Sequence, residues 1–425
     1  MVINRGQYFD ELETMTIEER VKYQTAKLRE TLEYAYNNSS SAHNLLDSAG
    51  MSPDKFESPK DLEKLPIMRK AELVEMQKAK PPFGGLLMVP PQEIERIFIS
   101  PGPIYEYQPS GIQWFARSFH AAGFSKGDVV VNTFTYHMSP AGILFHEGLR
   151  QCGATVVVMG TGNTDALIQA MLDLKINGFL GTPTFLLSVI KKAEEMGRNF
   201  KRDFVLKKTW FTGEMLTPSM RKIFEEQYDL ATSQAYAVTE PGGAIAYECP
   251  HKGGMHLMDD YVVEIVNPQT GKQVERGEVG EIVVTPLHNR SWGLLRFGTG
   301  DLSSLNTRPC ACGRTSYKIN GILGRSGDAV KVRGMFIVAK QAEQVITSVP
   351  AVARFQIVVS RRVERDEMLL KLEIKDSKID KSKLSDEINK KFQDTCRLKL
   401  DRIEYLEAGT IPETHKIIED VRKWE

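Results

Sequence analysis

The sequence predicts an α/β protein: a large N-terminal domain of helix-covered sheets with a β-rich subdomain, then a small α+β C-terminal domain. Three observations carry this. Between about residues 95 and 245, short apolar strands alternate with stretches of helical period, the pattern of a largely parallel sheet covered by helices. Between about 255 and 325 the period shortens to two, with Asn-Pro and Thr-Gly turns, as antiparallel hairpins require. From residue 327 the chain restarts as a helix, two strands, a helix and a strand, and roughly 95 residues suffice for an independent domain. The predicted domains are therefore 1–326 and 327–425.

The elements follow in order. Up to about residue 80 the chain reads as helical. TIEERVKYQTAKLRETLEYAYNN has Thr16 as its N-cap, acids in the first turn, and an apolar face of Val21, Leu28, Leu32 and Ala35. SPKDLEKLP has Ser58 as a cap and Pro59 at the first helical position. ERIFI reads as a strand, residues 99–110 (ISPGPIYEYQPS) as a Gly/Pro-rich loop, and GIQWFARSFHAAGF as a helix. KGDVVVNTF, GATVVVMG, INGFLGT and LKKTWFTG are predicted strands, separated by the helical stretches PAGILFHEGLRQC, NTDALIQAMLDL and FLLSVIKKAEEMG. Ligands of such sheets sit on loops beyond the strand C-termini, here FTYHMSP, MGTGNT, GTPT, FTGEM and AYAVTEPGG. VVEIVNPQTGKQV and GEVGEIVVTPL form the hairpin region, and AKQAEQVITSV, ARFQIVVSRR, MLLKLEIK, KLSDEINKKFQDTC and RIEYLE the C-terminal unit.

With 425 residues, 41% apolar and 26% charged, the chain has ample core material, and its zero formal net charge argues against a nucleic-acid-coating or anionic-membrane protein. Its start, MVINRGQYFDELETMTIEER, has no apolar signal region, and no apolar stretch is long enough to span a bilayer, so the expectation is cytoplasmic. Five cysteines do not read as a disulfide framework. Cys396 falls in step with Leu384, Ile388 and Phe392, and Cys152 precedes GATVVV, so both are expected in core.

The other cysteines suggest metal chemistry. Cys249 and His256 flank CPHKGGMH, while Cys310 and Cys312 sit in RPCACGRT, a knuckle-like turn; Zn²⁺ favours such a thiolate–imidazole set. His251 rivals His256. In LLRFGTGDL the glycines are expected to make a sharp turn presenting Asp301, whose carboxylate can accept from both ribose hydroxyls. Thr239 and Glu240 in AYAVTEPGG suit phosphate and its Mg²⁺, and Lys416 lies in ETHKIIEDVRKWE near the end.

Taken in order, YAVTE, a G-E-x-G-E-I hairpin, RFGTGDL, CACGRT, GRSGDAVKVRG and the near-terminal lysine resemble the acyl-adenylate-forming superfamily, and within it the phenylacetate–CoA ligase family. The resemblance runs from about residue 20 to the end. It implies ATP-dependent activation of a carboxylic acid, aryl or small organic, to an acyl-adenylate, followed by rotation of a mobile C-terminal lid and transfer to CoA. ATP/AMP, Mg²⁺, CoA and structural Zn²⁺ are the implied cofactors, and a homodimer is compatible with it. Carried over residue by residue, Lys416, Glu240 and Thr239 act on carboxylate and phosphates. Asp301, Arg325, Gly213, Glu214, Tyr236 and Ser100 hold the nucleotide. Tyr136, His137 and Phe185 line the acyl pocket, and Cys249, His256, Cys310 and Cys312 are the zinc ligands.

Two departures from the family pattern stand out. The phosphate loop, usually rich in Ser, Thr and Gly with a lysine, reads SPGPIYEYQPS here. Pro101, Pro103 and Pro109 remove donors, Glu106 adds negative charge, and hydroxyls come from Ser100, Tyr105 and Ser110, with Tyr105 and Glu106 as substitutes acting through Mg²⁺. The hinge reads Arg325-Ser326-Gly327-Asp328, placing glycine at the pivot. These departures motivate an alternative expectation, a non-catalytic relative that binds AMP or an acyl-adenylate as a sensor or partner module.

Overall fold

The computed structural model describes residues 7–100, 104–108, 115–326, 329–333, 335–362, 365–376, 378–396 and 398–422. Pro101, Pro103, Pro109, Ser110, Gly327 and Asp328 lie outside the described residues. The chain forms two compact units. One comprises 1–264, 283–299 and 306–321; the other comprises 265–282, 300–305 and 322–425.

In the first unit, Val129–Asn132, Thr155–Val158, Gly178–Gly181 and Lys208–Phe211 form a parallel sheet in the spatial order second, first, third, fourth, and Ala231–Val238 continues it in parallel. Their Val- and Phe-rich runs are too apolar for a solvated face and pack beneath the crossover helices Ala141–Gln151, Thr164–Asp173 and Pro183–Glu195. Leu167, Ile168 and Met171 of one helix and Leu186, Val189 and Ile190 of the next close over Val131, Phe179 and Phe211. Beyond Ala231–Val238 the sheet turns antiparallel through Gly243–Tyr247, Met255–Leu257 and Lys318–Ile319. AYAV, expected in a loop, instead ends the strand Ala231–Val238, where Ala235 and Tyr236 are buried.

The first long helix spans Ile17–Asn38, and Thr16 caps it in a reciprocal box with Glu19. Leu28, Leu32 and Ala35 are fully buried as expected, but Val21 is 44% exposed, and the inward position belongs to the preceding residue, Arg20, which pairs with Asp259 at 2.7 Å. Residues Pro59–Lys64 form a 3₁₀ helix with Ser58 as its cap.

A buried ionic staple ties the N-terminal segment to the sheet. Glu13 Oε1 accepts from Arg314 Nε at 2.5 Å and from the Tyr247 hydroxyl at 2.7 Å, while Oε2 accepts from Phe9 N–H. Both charged side chains are at most 3% exposed. Removing one partner strands the other charge away from water. Glu13→Ala is expected to lower unfolding free energy by about 3–5 kcal/mol, read from the denaturant midpoint. A change under about 1 kcal/mol would show that the pair is dispensable.

In the second unit, Arg402–Leu406, Arg365–Ile374, Val352–Arg362 and Ile418–Asp420 form a four-stranded sheet in that order. Helices Ala339–Thr347 and Lys381–Cys396 supply the rest of its core. Leu384, Ile388, Phe392 and Cys396 face inward, as their spacing predicts. Cys152, expected in core, is only half-buried at a helix C-terminus, its Sγ against Ala116 O at 3.2 Å. Among the described residues, no helix is long and apolar enough to cross a membrane.

Candidate active site and metal centre

Because five consecutive strands run parallel, the loops that follow them leave one edge of the sheet together. This gathers residues 133–140, 159–163, 182–184, 212–217 and 239–242 in the first unit. Gly213 has φ +84°, and a side chain there would meet Phe134 and Thr182 at 3.6 Å. Glu214 accepts from Thr184 N–H at 2.7 Å and from its hydroxyl, joining two of these loops. The half-buried Tyr136 hydroxyl accepts from Asn132 Nδ2 at 2.9 Å and lies 3.3 Å from His146 Nδ1. His137 is exposed on the same loop, and Phe185 is half-buried against Phe179. Asn132, four residues before Tyr136, and His146, ten residues after it, contact its hydroxyl; neither carries a chemical signal in the sequence.

Thr239 and Glu240 form the turn after Ala231–Val238, Thr239 exposed and Glu240 buried. Tyr236, two residues earlier, is buried within the strand. Glu240 Oε1 lies 2.8 Å from Lys70 Nζ. Lys70 opens the Lys70–Ala79 helix and was not singled out in the sequence, where one lysine among many carries no signal.

Within the expected loop at 99–110, the described residues belong to two paired strands. Arg96–Ser100 and Ile104–Gln108 pair antiparallel, with Phe98 opposite Glu106 and Ser100 opposite Ile104. Alternation places Phe98, Ser100, Ile104 and Glu106 on one buried face. The Ser100 hydroxyl donates to Glu106 Oε1 at 2.5 Å, so it is already engaged within the protein. Tyr105 is partly exposed, and its backbone N–H and C=O are bound by Gln77.

Burial pushes the Glu106 carboxyl up to about 7; the Ser100 hydroxyl opposes the rise, Glu240 adds to it, and Lys70 opposes it. A carboxyl raised from 4.5 holds its proton in the fold where the unfolded chain has lost it. Its contribution is thus present at low pH and is lost as pH rises from about 4.5 through 7. The loss is roughly 3 kcal/mol. Glu106→Gln is expected to remove this slope and to be more stable than wild type at pH 8 without divalent ions, in paired denaturation curves at pH 5 and 8. Parallel curves for the two proteins would contradict it.

Four residues of the first unit converge at its other candidate centre. The ligand atoms of Cys249, His256, Cys310 and Cys312 all lie within 4.8 Å of one another. Cys249 Sγ is 3.6 Å from Cys310 Sγ, and Cys312 Sγ is 3.4 Å from His256 Nε2. Zinc–sulfur bonds of about 2.3 Å in a tetrahedron separate sulfurs by about 3.8 Å, so the set is sized for that ion. His256 Nδ1 faces Ser316 O at 3.0 Å; the carbonyl fixes the proton there and leaves Nε2 with its lone pair toward the cysteines. Burial holds the imidazole near pKa 4, hence neutral, and pushes the Cys249 thiol up to about 12, a cost that a dication reverses. Of the rival histidines, His256 joins the cluster and His251 is exposed. Gly313, φ +81°, permits the turn; a Cβ there would come 2.2 Å from the Tyr8 hydroxyl.

In the second unit, Asp301 is not on a sharp turn. It lies within the long strand Phe297–Asn306, where Gly300 at φ +74° kinks the backbone without ending it. Asp301 is opposite Arg325 in register, and the two form an ion pair at 3.2 Å, Asp301 sheltered and Arg325 72% exposed. Lys416 is exposed just before the last strand.

Residues 110–287 match the AMP-binding enzyme family, and residues 334–422 match the AMP-binding enzyme C-terminal domain. Phenylacetate-coenzyme A ligase of Thermus thermophilus is 30% identical over 397 residues, spanning 90% of this chain and 88% of that protein. This chain belongs to the phenylacetate–CoA ligase family. The Escherichia coli phenylacetate-coenzyme A ligase is likewise 30% identical, over 87% of this chain and 86% of its own. In fold, the chain superposes on an open conformation of 2-hydroxyisobutyryl-CoA ligase in complex with 2-HIB-AMP and CoA, with a TM-score of 0.87 at 24% identity, covering 99% of this chain and 96% of that one. The predicted α/β class and the family resemblance both hold.

Proposed function

We propose that this protein is an ATP-dependent carboxylic acid–CoA ligase acting on an aryl or small organic acid. The carboxylate attacks the α-phosphorus of ATP, giving acyl-adenylate and pyrophosphate; the CoA thiol then displaces AMP, giving the thioester. The observation that carries this reading is likeness to phenylacetate–CoA ligases along nearly the whole length of both chains. The gathering of Tyr136, Gly213, Glu214, Thr239 and Glu240 on one sheet edge supports it.

In this reading Tyr136, His137 and Phe185 border the acyl group, and Gly213, Glu214 and Tyr236 border the adenine side. Thr239 and Glu240 serve the phosphates and Mg²⁺. Asp301 and Arg325 serve the nucleotide, and Lys416 serves the reacting carboxylate. Ser100, bound to Glu106, acts through that carboxylate. Cys249, His256, Cys310 and Cys312 hold a structural zinc, since four protein ligands leave no open position. A cytoplasmic protein without nucleic-acid or membrane partners fits the neutral composition and the odd, sparse cysteines; a homodimer is its proposed assembly. The test is product analysis with ATP, Mg²⁺, CoA and a panel of acids. AMP and acyl-CoA in equal amounts are expected. Release of ADP, or AMP formed without any thioester, would overturn the assignment.

A further inference from the structure

The phosphate-loop position of this chain presents a carboxylate where donors are expected. Glu106 is 3% exposed, and its Oε2 is buried without a hydrogen-bond partner. Its Oε1 is used by Ser100, which is therefore not offered as a donor to a phosphate. Glu240 is 6% exposed; Val238, two residues before it, packs on the core cluster that holds Ile104 and Tyr107 of the Glu106 strand, and the Glu240 charge acts on Glu106. Lys70, which also acts on Glu106, contacts Glu240 directly. Of the two buried carboxylates, Glu240 alone contacts the ammonium, and Glu106 Oε2 is left unpaired. Once ionised, such a carboxylate is acceptor-only and repels a triphosphate unless a cation stands between them. Hard divalent cations bind through one or two carboxylates plus phosphate oxygens.

Building on the ligase reading, we propose that Glu106 and Glu240 form a two-carboxylate site for the divalent cation of the nucleotide, with Lys70 as its resident counter-ion. The cation takes the unpaired Glu106 Oε2 together with Glu240 and displaces Lys70. The Lys70 ammonium, half-exposed on a flexible stem, is then free to meet phosphate oxygens. Metal-bridged binding thereby replaces the backbone and hydroxyl donors that SPGPIYEYQPS lacks.

The probe is Mn²⁺ binding to the zinc-replete protein, with and without ATP, followed by electron paramagnetic resonance of the free ion. Glu106→Gln keeps the shape and the Ser100 contact while removing the charge, and is expected to weaken Mn²⁺ binding at least tenfold. Lys70→Met removes the competing ammonium and is expected to tighten Mn²⁺ binding severalfold in the absence of ATP, while weakening ATP binding. The opposite signs separate the proposal from general loss of structure. Mn²⁺ affinity within twofold of wild type in both variants, or no Mn²⁺ binding by wild type at millimolar concentration, would overturn it. Acid-dependent turnover with Glu106-independent Mn²⁺ binding would remove this inference and leave the ligase standing. Glu106-dependent Mn²⁺ binding in a protein inactive with every acid would do the reverse.

Discussion

Lys416→Ala is expected to slow acid-dependent adenylation by about 10²–10³-fold, the scale for removing one charge stabiliser aimed at a transition state. As the carboxylate bonds to the α-phosphorus its own charge falls, while charge builds on the α-phosphate and departing pyrophosphate oxygens, and a lysine there is worth most at that moment. The backbone around Lys416 is held independently of its side chain. Its carbonyl accepts from Gln356 Nε2 at 3.2 Å, His415 is fixed between the Pro412 and Phe355 carbonyls, and Ile418 pairs with Ile357. Among the described residues the ammonium has no ion-pair partner in the fold. The variant is therefore expected to keep the wild-type melting temperature, and conversion of preformed acyl-adenylate to thioester is expected to fall much less than its formation. An unchanged adenylation rate would remove Lys416 from the mechanism.

The Cys310→Ser, Cys312→Ser variant is expected to lose one zinc per chain and on the order of 5 kcal/mol of stability. Zinc contributes about 10–16 kcal/mol to small zinc-dependent folds. Here the neighbouring sheet is already ordered, so a fraction of that figure applies. The loss spreads because the knuckle is tied inward: Arg314 N–H donates to Cys312 Sγ at 3.4 Å, and the Arg314 guanidinium pairs with Glu13. Without the metal, the remaining Cys249 thiol and His256 imidazole stay buried and lose what offsets that cost. Metal analysis and thermal denaturation read both effects. A wild-type preparation free of zinc, made without chelator, would end this assignment.

The parallel sheet was legible because Val129–Asn132, Thr155–Val158 and their neighbours are short apolar runs bounded by turns and followed by helical periods. The metal candidates were legible because thiols and imidazoles are rare and Cys-x-Cys marks a knuckle. Choosing His256 over His251 needed tertiary contact with Ser316 or the family resemblance. Other features were hidden by their composition. Prolines and a glutamate made residues 104–108 read as loop, yet that strand is satisfied by pairing with Arg96–Ser100 and by burying Glu106 against Ser100. Gly-Thr-Gly-Asp signalled a turn, but cross-strand pairing with Arg325 keeps Asp301 extended. Lys70 could not be found from its neighbours in sequence, since its partner lies 170 residues further along the chain.

The most direct test of the central claim is ATP–pyrophosphate exchange, without CoA, across a panel of aryl and small organic acids. The expected result is exchange that requires both the acid and a divalent cation, despite the altered phosphate-loop position. Folded protein that binds AMP yet exchanges pyrophosphate with none of these acids would contradict it, and would favour a module that holds an adenylate without making one.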